Sequence, residues 1–283
     1  MLDLSRFELY LKSKELSDNT VGCYIRDSKT FIDWYNDRTD CGFDKLIELD
    51  AIEYKKQLIN TNKSVVTANR KIASVNAFCK WLYEIGINPI EINIKAVKNR
   101  DARQYKGLED KDLRKLRAEI HRNRNPLHIC IIEILLGTGL RVSELCGLRL
   151  QDIEISERKG SLRVIGKGNI NRTLPLNKDV RRAIKDYLAV RPASDNDFLL
   201  IGQRGALKRN AINLILKKYG QRVTVAVTPH CIRHSLGYRL VKSKNTAITT
   251  IQQILGHDSI VTTNLYTLTT EQDKVNALEA LEW

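Results

Sequence analysis

Residues Thr228–Tyr266 read TPHCIRHSLGYRLVKSKNTAITTIQQILGHDSIVTTNLY. Within this stretch fall His230, Arg233, His257 and Tyr266. Two imidazoles, a guanidinium and a phenol suit attack on a phosphodiester without a metal. A guanidinium offers paired N–H donors to a non-bridging phosphate oxygen. An imidazole takes or shares a proton near neutral pH. A phenol becomes a nucleophile once a neighbour helps it lose a proton that it normally holds to a pKa of about 10. The phosphorane-like transition state carries more negative charge than the ground state, so a second cation should face it. Upstream, Gly137–Leu148 reads GTGLRVSELCGL and presents Arg141 just beyond a Gly-Thr-Gly turn. Glu144, three residues on, is close enough to orient that guanidinium or to brace the turn, and Ser143 can cap the short helix that follows.

Local signals place these residues. Thr228-Pro229 marks a helix start, and His230 and Arg233 then lie one turn apart on the same face. His234 is read as structural and pointing elsewhere; His121 and His128 are also read as structural. A helix over Thr246–Leu255 ends in Gly256, which lets the chain turn and deliver His257. Taken singly these signals are weak, because H-x-x-R occurs by chance in many helices and an Arg–Glu pair three apart is most often a surface ion pair.

Five pieces in order are specific together: TGLRVSEL around Arg141, VIGKG around Lys167, PHCIRH around His230 and Arg233, LGH ending at His257, and Tyr266 nine residues beyond, in a TT-x-x-Y pattern. These resemble the boxes of the tyrosine recombinase (phage integrase) family, and are most like Xer-type recombinases and TnpI-type transposon cointegrate resolvases. The resemblance implies a site-specific recombinase that needs no cofactor, metal or ATP. Tyr266 would attack a DNA phosphate in line to form a 3′-phosphotyrosyl link. Arg141 and Arg233 would hold the charge, His230 and His257 would share the proton and hydrogen-bonding work, and Lys167 would protonate the departing 5′-oxygen. The implied partners are a double-stranded DNA site and further copies of the chain, as a tetramer on two sites, with room for an accessory protein. Two departures stand out. The family often has a basic residue three after the lysine, where this chain has Ile170, so phosphate contact there rests more on Arg172. It often has a glycine before the helix leading to LGH, where this chain reads Lys242-Ser243-Lys244-Asn245.

The totals agree with a polyanionic partner. The chain has 283 residues and a net charge of +14, distributed as +2 over residues 1–100 and +12 over residues 101–283. The six cysteines show no C-x-x-C pair and read as reduced core residues of a cytoplasmic, DNA-associated protein. No apolar run approaches the roughly 20 residues of a membrane helix.

Residues 1–94 are expected to form a four-helix, DNA-clamping domain that resembles the family's core-binding domain. The helices are read at Asp3–Glu15, from Ser17 or Asp18 to about Arg38, from an Asp50 cap with Ile52, Leu58 and Ile59 inward, and from Ser64 to Gly86. Thr67, Asn69, Arg70 and Lys71 sit at the start of the fourth helix, off its apolar stripe. They are candidates for phosphate or base-edge contact, the alternative being a solvated face. Residues 95–107, KAVKNRDARQYKG, read as a basic linker whose Lys95, Lys98, Arg100 and Arg103 suit passage along phosphates. Residues 108–283 are expected to be a mixed catalytic domain. Its helices surround short strands at Asp152–Ile155, Leu162–Ile165 and Arg172–Leu176, with Lys167 on the turn between the last two. Lys208 and Arg209, on a helix expected over Leu207–Tyr219, are backbone contacts or solvated charge. Phe198–Leu200 is a short strand or a turn. Residues 271–283 form an amphipathic helix that docks on a neighbouring copy or folds back on its own domain. The fold class is therefore mainly α with a small antiparallel sheet. The rival functions are a type IB topoisomerase-like relaxing enzyme and an inert DNA-binding regulator on the same scaffold.

Overall fold

The computed structural model describes residues 3–61, 64–98, 107–166, 171–243 and 246–256. The chain forms two compact units, Met1–Arg103 and Gln104–Trp283. Helices dominate both, and the sheets are small and antiparallel.

In the first unit α1 (Leu4–Ser13), α2 (Asp18–Asn36), α3 (Glu48–Thr61) and α4 (Val65–Glu84) enclose an aromatic core. Asp3 and Ser17 cap the first two helices through Ser5 N–H and Thr20 N–H. Phe7, Phe31 and Phe78 are fully buried. Phe78 meets Phe7 edge-on at 5.4 Å, and Phe31 meets Tyr54 at 4.9 Å. Such contacts add roughly 0.5–1.5 kcal/mol each beyond simple burial. The third helix departs from expectation. It opens at Glu48, and Asp50 lies inside it, accepting from the Ile47 N–H. Its buried face is Ala51, Tyr54 and Leu58, while Ile52 and Ile59 are exposed. The helical period puts 51, 54 and 58 on one stripe and carries 52 and 59 past its edge.

The extended stretch Ile92–Val97 lies along α4. Asn76 donates to the Ile94 carbonyl (2.9 Å) and accepts from its N–H (2.8 Å). Asn69, two turns earlier, treats Val97 in the same way at 2.9 and 2.8 Å. Two side-chain amides thus replace a neighbouring strand, with Ile92 and Ile94 buried beneath. The basic stretch expected to start a linker at Lys95 therefore begins as a bound segment.

The second unit is built on α6 (Pro126–Thr138), packed by α5 (Asp110–Arg122), α8 (Lys178–Leu188) and α10 (Pro229–Lys242). Asn125 caps α6 through His128 N–H and Pro126 occupies its first turn, as the sequence suggested. Cys130, Ile131, Ile132, Ile134 and Leu135 are fully buried, so no single apolar stripe exists. The one carboxylate among them, Glu133, is held by Arg117 (2.6 and 3.1 Å) and His121 (2.7 Å). His128 bonds the Tyr219 hydroxyl at 2.8 Å.

Strands β1 (Ile153–Ile155), β2 (Gly160–Ile165) and β3 (Asn171–Pro175) form one antiparallel sheet in that order, with Leu162 opposite both Ile153 and Leu174. β1 starts one residue later than expected because Leu150–Asp152 makes a 3₁₀ turn. Phe198 bridges Arg149, and β4 (Ile201–Gly202) and β5 (Gly205–Ala206) form a small hairpin the sequence had not suggested. That hairpin holds Leu207, whose N–H bonds Leu200, so α9 (Arg209–Arg222) begins two residues after its expected start. The remaining helices are α7 (Val142–Gly147) and α11 (Ile248–Leu255), the latter opening two residues beyond Thr246.

Candidate active site

Arg141 stands at the N-cap of α7, two residues after the left-handed Gly139 that ends α6 (φ +63°). A side chain at 139 would strike Leu236 and Leu255 at 2.9 and 3.0 Å. Ser143 does not cap α7. Glu144 does, by reaching back to the Arg141 N–H at 2.8 Å. Its carboxylate also accepts from Arg141 Nη1 (3.0 Å) and from both terminal nitrogens of Arg172 on β3 (3.0 and 2.8 Å). Glu144 is buried. Burial alone would raise its pKa, but the hydrogen bonds and charges of Arg172 and Arg141 outweigh that and hold it below the usual glutamate value.

Arg172 therefore does not project from the sheet as a phosphate contact. Its side chain is 13% exposed and packs inward, and its Nε is buried with no hydrogen-bond partner among the described residues. Gly256 makes room for it: a Cβ there would lie 2.6 Å from Arg172 Nη1.

Arg233, on α10, is almost wholly buried at 4% exposure. Its Nη1 donates to the Gly139 carbonyl at 2.7 Å and its Nη2 to the Leu255 carbonyl at 2.5 Å. Arg141 Nη2 donates to the Gly256 carbonyl at 2.7 Å. Gly256 is itself left-handed (φ +61°) and closes α11. Two glycine turns thus aim carbonyls at two arginines, and the arginines in turn grip the end of α11 just before His257. Hydrogen bonds from charged donors contribute about 1.5–3 kcal/mol each, enough to hold both guanidiniums in place before any anion arrives.

Helix α10 starts as expected, with Thr228 capping through Cys231 N–H. His230 lines a cavity of about 870 Å³ together with Arg141, Arg233, Arg209, Asn213 and Lys217. Arg209, Asn213 and Lys217 are successive turns of one α9 face. Among the described residues lining the cavity there is no Asp or Glu, so its field favours an anion. Burial, then Arg233 and Arg141, push the His230 pKa below its ordinary value. His234 does not point elsewhere. Its Nε2 sits 2.7 Å from His230 Nε2, and burial, then the charges of His230 and Arg233, lower its pKa to about 4. The i, i+4 spacing on one helix was the signal that placed the two rings together.

In the first unit, Arg70 pairs with the buried Asp27, which also accepts from Ser74, and Asn69 is engaged by Val97. Thr67 and Lys71 are half-buried, whereas Lys95, Lys98, Lys208 and Arg209 are exposed. Lys167, Ile170, Arg100, Arg103, His257, Tyr266 and the helix expected over 271–283 lie outside the described residues. Among the described residues no cluster of His, Cys, Asp or Glu stands ready to hold a metal ion, and no helix is long and apolar enough to cross a membrane.

A helical unit followed by a helical unit with a three-stranded sheet, whose arginines converge on a cavity with no acid among its described lining residues, defines a class of two-unit proteins with a site suited to an anion. Comparison with known proteins narrows the class. Residues 106–273 match the phage integrase family and residues 4–86 match the phage integrase N-terminal SAM-like domain. Tyrosine recombinase XerA of Pyrococcus furiosus is 30% identical over 281 residues, 98% of this chain and 92% of its own. TnP I resolvase of Bacillus thuringiensis is 28% identical over 98% of each chain. Two solved structures share the fold. A XerH site-specific recombinase bound to a palindromic difH substrate superposes with a TM-score of 0.76 at 18% identity, over 92% of this chain and 79% of that one. A Tn1549 transposon integrase in complex with circular intermediate DNA does so with 0.74 at 20% identity, over 100% of both. The chain belongs to the phage integrase family, the tyrosine recombinases, which cleave and rejoin DNA.

Proposed function

We propose that this chain is a site-specific recombinase that exchanges strands between two double-stranded DNA sites through Tyr266. The observation that carries the reading is the convergence of Arg141, Arg233 and His230 on one cavity, with no carboxylate among its described lining residues. The Tyr266 oxygen attacks a backbone phosphorus in line, forming the O–P bond as the P–O5′ bond breaks. Its proton passes to His230. Arg141 and Arg233 hold the non-bridging oxygens, His257 adds a hydrogen bond to one of them, and Lys167 gives a proton to the departing 5′-oxygen. The link stores the bond energy, so a 5′-hydroxyl from a partner strand reverses the step without ATP.

The face Arg209, Asn213 and Lys217 tracks the DNA backbone beside the reacting phosphate, with Lys208, Lys95 and Lys98 as further contacts. The chain works as a tetramer on two sites, with residues 271–283 docking on the next copy. Resolution of joined DNA molecules is its task, a reading supported by similarity to a resolvase over nearly the whole of both chains. A supercoiled plasmid with two directly repeated target sites tests this. Two product circles are expected. Relaxed, unresolved plasmid would instead favour a topoisomerase, and unchanged plasmid with bound protein an inert regulator.

A further inference from the structure

We propose that His234 is a positioning residue that fixes the tautomer of His230, so that His230 does its proton work at Nδ1. This rests on the reading of His230 as the acceptor of the Tyr266 proton. The two histidines are one turn apart on α10. Their Nε2 atoms are 2.7 Å apart, and the rings meet edge-to-face with centroids 4.1 Å apart at 84°. At that distance two N–H groups repel and two lone pairs gain nothing, so one hydrogen lies between the rings. With His230 Nε2 engaged by His234, Nδ1 is assigned the exchange of a proton with the substrate oxygen.

Two settings of the shared hydrogen exist. If His234 donates, His230 carries its own hydrogen on Nδ1 and cannot take another there while neutral. If His234 accepts, His230 is the Nε2–H tautomer and Nδ1 is an acceptor, which is what proton removal from a phenol requires. His234 is suited to that accepting role: it is buried, and with a pKa of about 4 it stays neutral throughout the working range. Both rings line the same cavity as Arg141 and Arg233, whose charges disfavour a second cation between them. Ser235, next along α10, anchors the helix by accepting from the Leu108 N–H at 2.7 Å and donating to the Cys231 carbonyl at 2.8 Å.

The test combines ¹⁵N-histidine NMR of the full chain with the rate of covalent adduct formation on a nicked target site. The variants are His234→Phe, which fills the space without a hydrogen bond, and His234→Gln, whose side-chain amide reaches the position of Nε2. Wild type should show His230 as the Nε2–H tautomer. His234→Phe should give a mixed tautomer and slow the adduct about 10- to 100-fold, with DNA affinity changed less than about twofold. His234→Gln should restore the single tautomer and most of the rate. An unchanged tautomer and rate in His234→Phe would overturn the proposal, as would equal losses in both variants or a wild-type Nδ1–H tautomer. If His234→Phe does not fold, the wild-type tautomer and the Gln rescue still decide. A locked Nε2–H tautomer without any adduct from wild type would uphold the pairing and reject the proposed function.

Discussion

Glu144 accepts from the Arg141 backbone and from the guanidiniums of both Arg141 and Arg172. Glu144→Ala would therefore strand the buried Arg172 without its counter-charge, and a loss of about 3 kcal/mol in urea unfolding is expected. Gly256→Ala combines a left-handed backbone with a collision against Arg172, and should cost about 1–2 kcal/mol while slowing cleavage. The histidine pair predicts acid sensitivity. His234 titrates at 6.5 when unfolded and at about 4 when folded. As pH falls through that window the unfolded chain takes up a proton that the folded chain refuses, so stability present above pH 6.5 is lost. His230 is depressed too and acts in the same direction. Melting temperature should fall from pH 7 to 4, and His234→Gln should remove roughly 3 kcal/mol of that dependence. Residue types and order were enough to nominate Arg141, His230 and Arg233. Their fixing was not legible, because the carbonyls of Gly139, Leu255 and Gly256 are brought in by backbone turns that side-chain patterns do not encode.

Asn69 and Asn76 show the same limit for an element. In the sequence, Thr67, Asn69, Arg70 and Lys71 form one polar group at the start of α4, all available to DNA. In the fold Asn69 satisfies both backbone groups of Val97, and Arg70 is held by Asp27. Asn69→Ala should therefore destabilise the first unit by about 1–3 kcal/mol in urea. It should also speed hydrogen exchange at Val97 while leaving base preference unchanged. Helix starts were legible where the signal is local: Asn125-Pro126 and Thr228-Pro229 open their helices as read, Ser17 rather than Asp18 caps α2, and Asp3 caps α1 instead of being its first residue. α3 was misread because Asp50 resembles a cap, yet its carboxylate serves Ile47 from inside the helix. The β4–β5 hairpin is two residues per strand, too short for any alternating pattern to reveal it.

For the whole molecule, charge and chemistry give separable predictions. With +12 concentrated in residues 101–283, the logarithm of DNA affinity should fall linearly with the logarithm of salt concentration. Replacing Arg209 or Lys217 by Ala should reduce that slope by about 1 each without changing which site is preferred. On the proposed function, Tyr266, served by Arg141, Arg233 and His230, forms a covalent link to DNA without a metal. The most direct measurement uses a nicked target site, first found by binding selection, incubated with the full chain in EDTA and resolved on a denaturing gel. Wild type should give a protein–DNA adduct and Tyr266→Phe none. Specific binding without an adduct, or an adduct that persists in Tyr266→Phe, would contradict it.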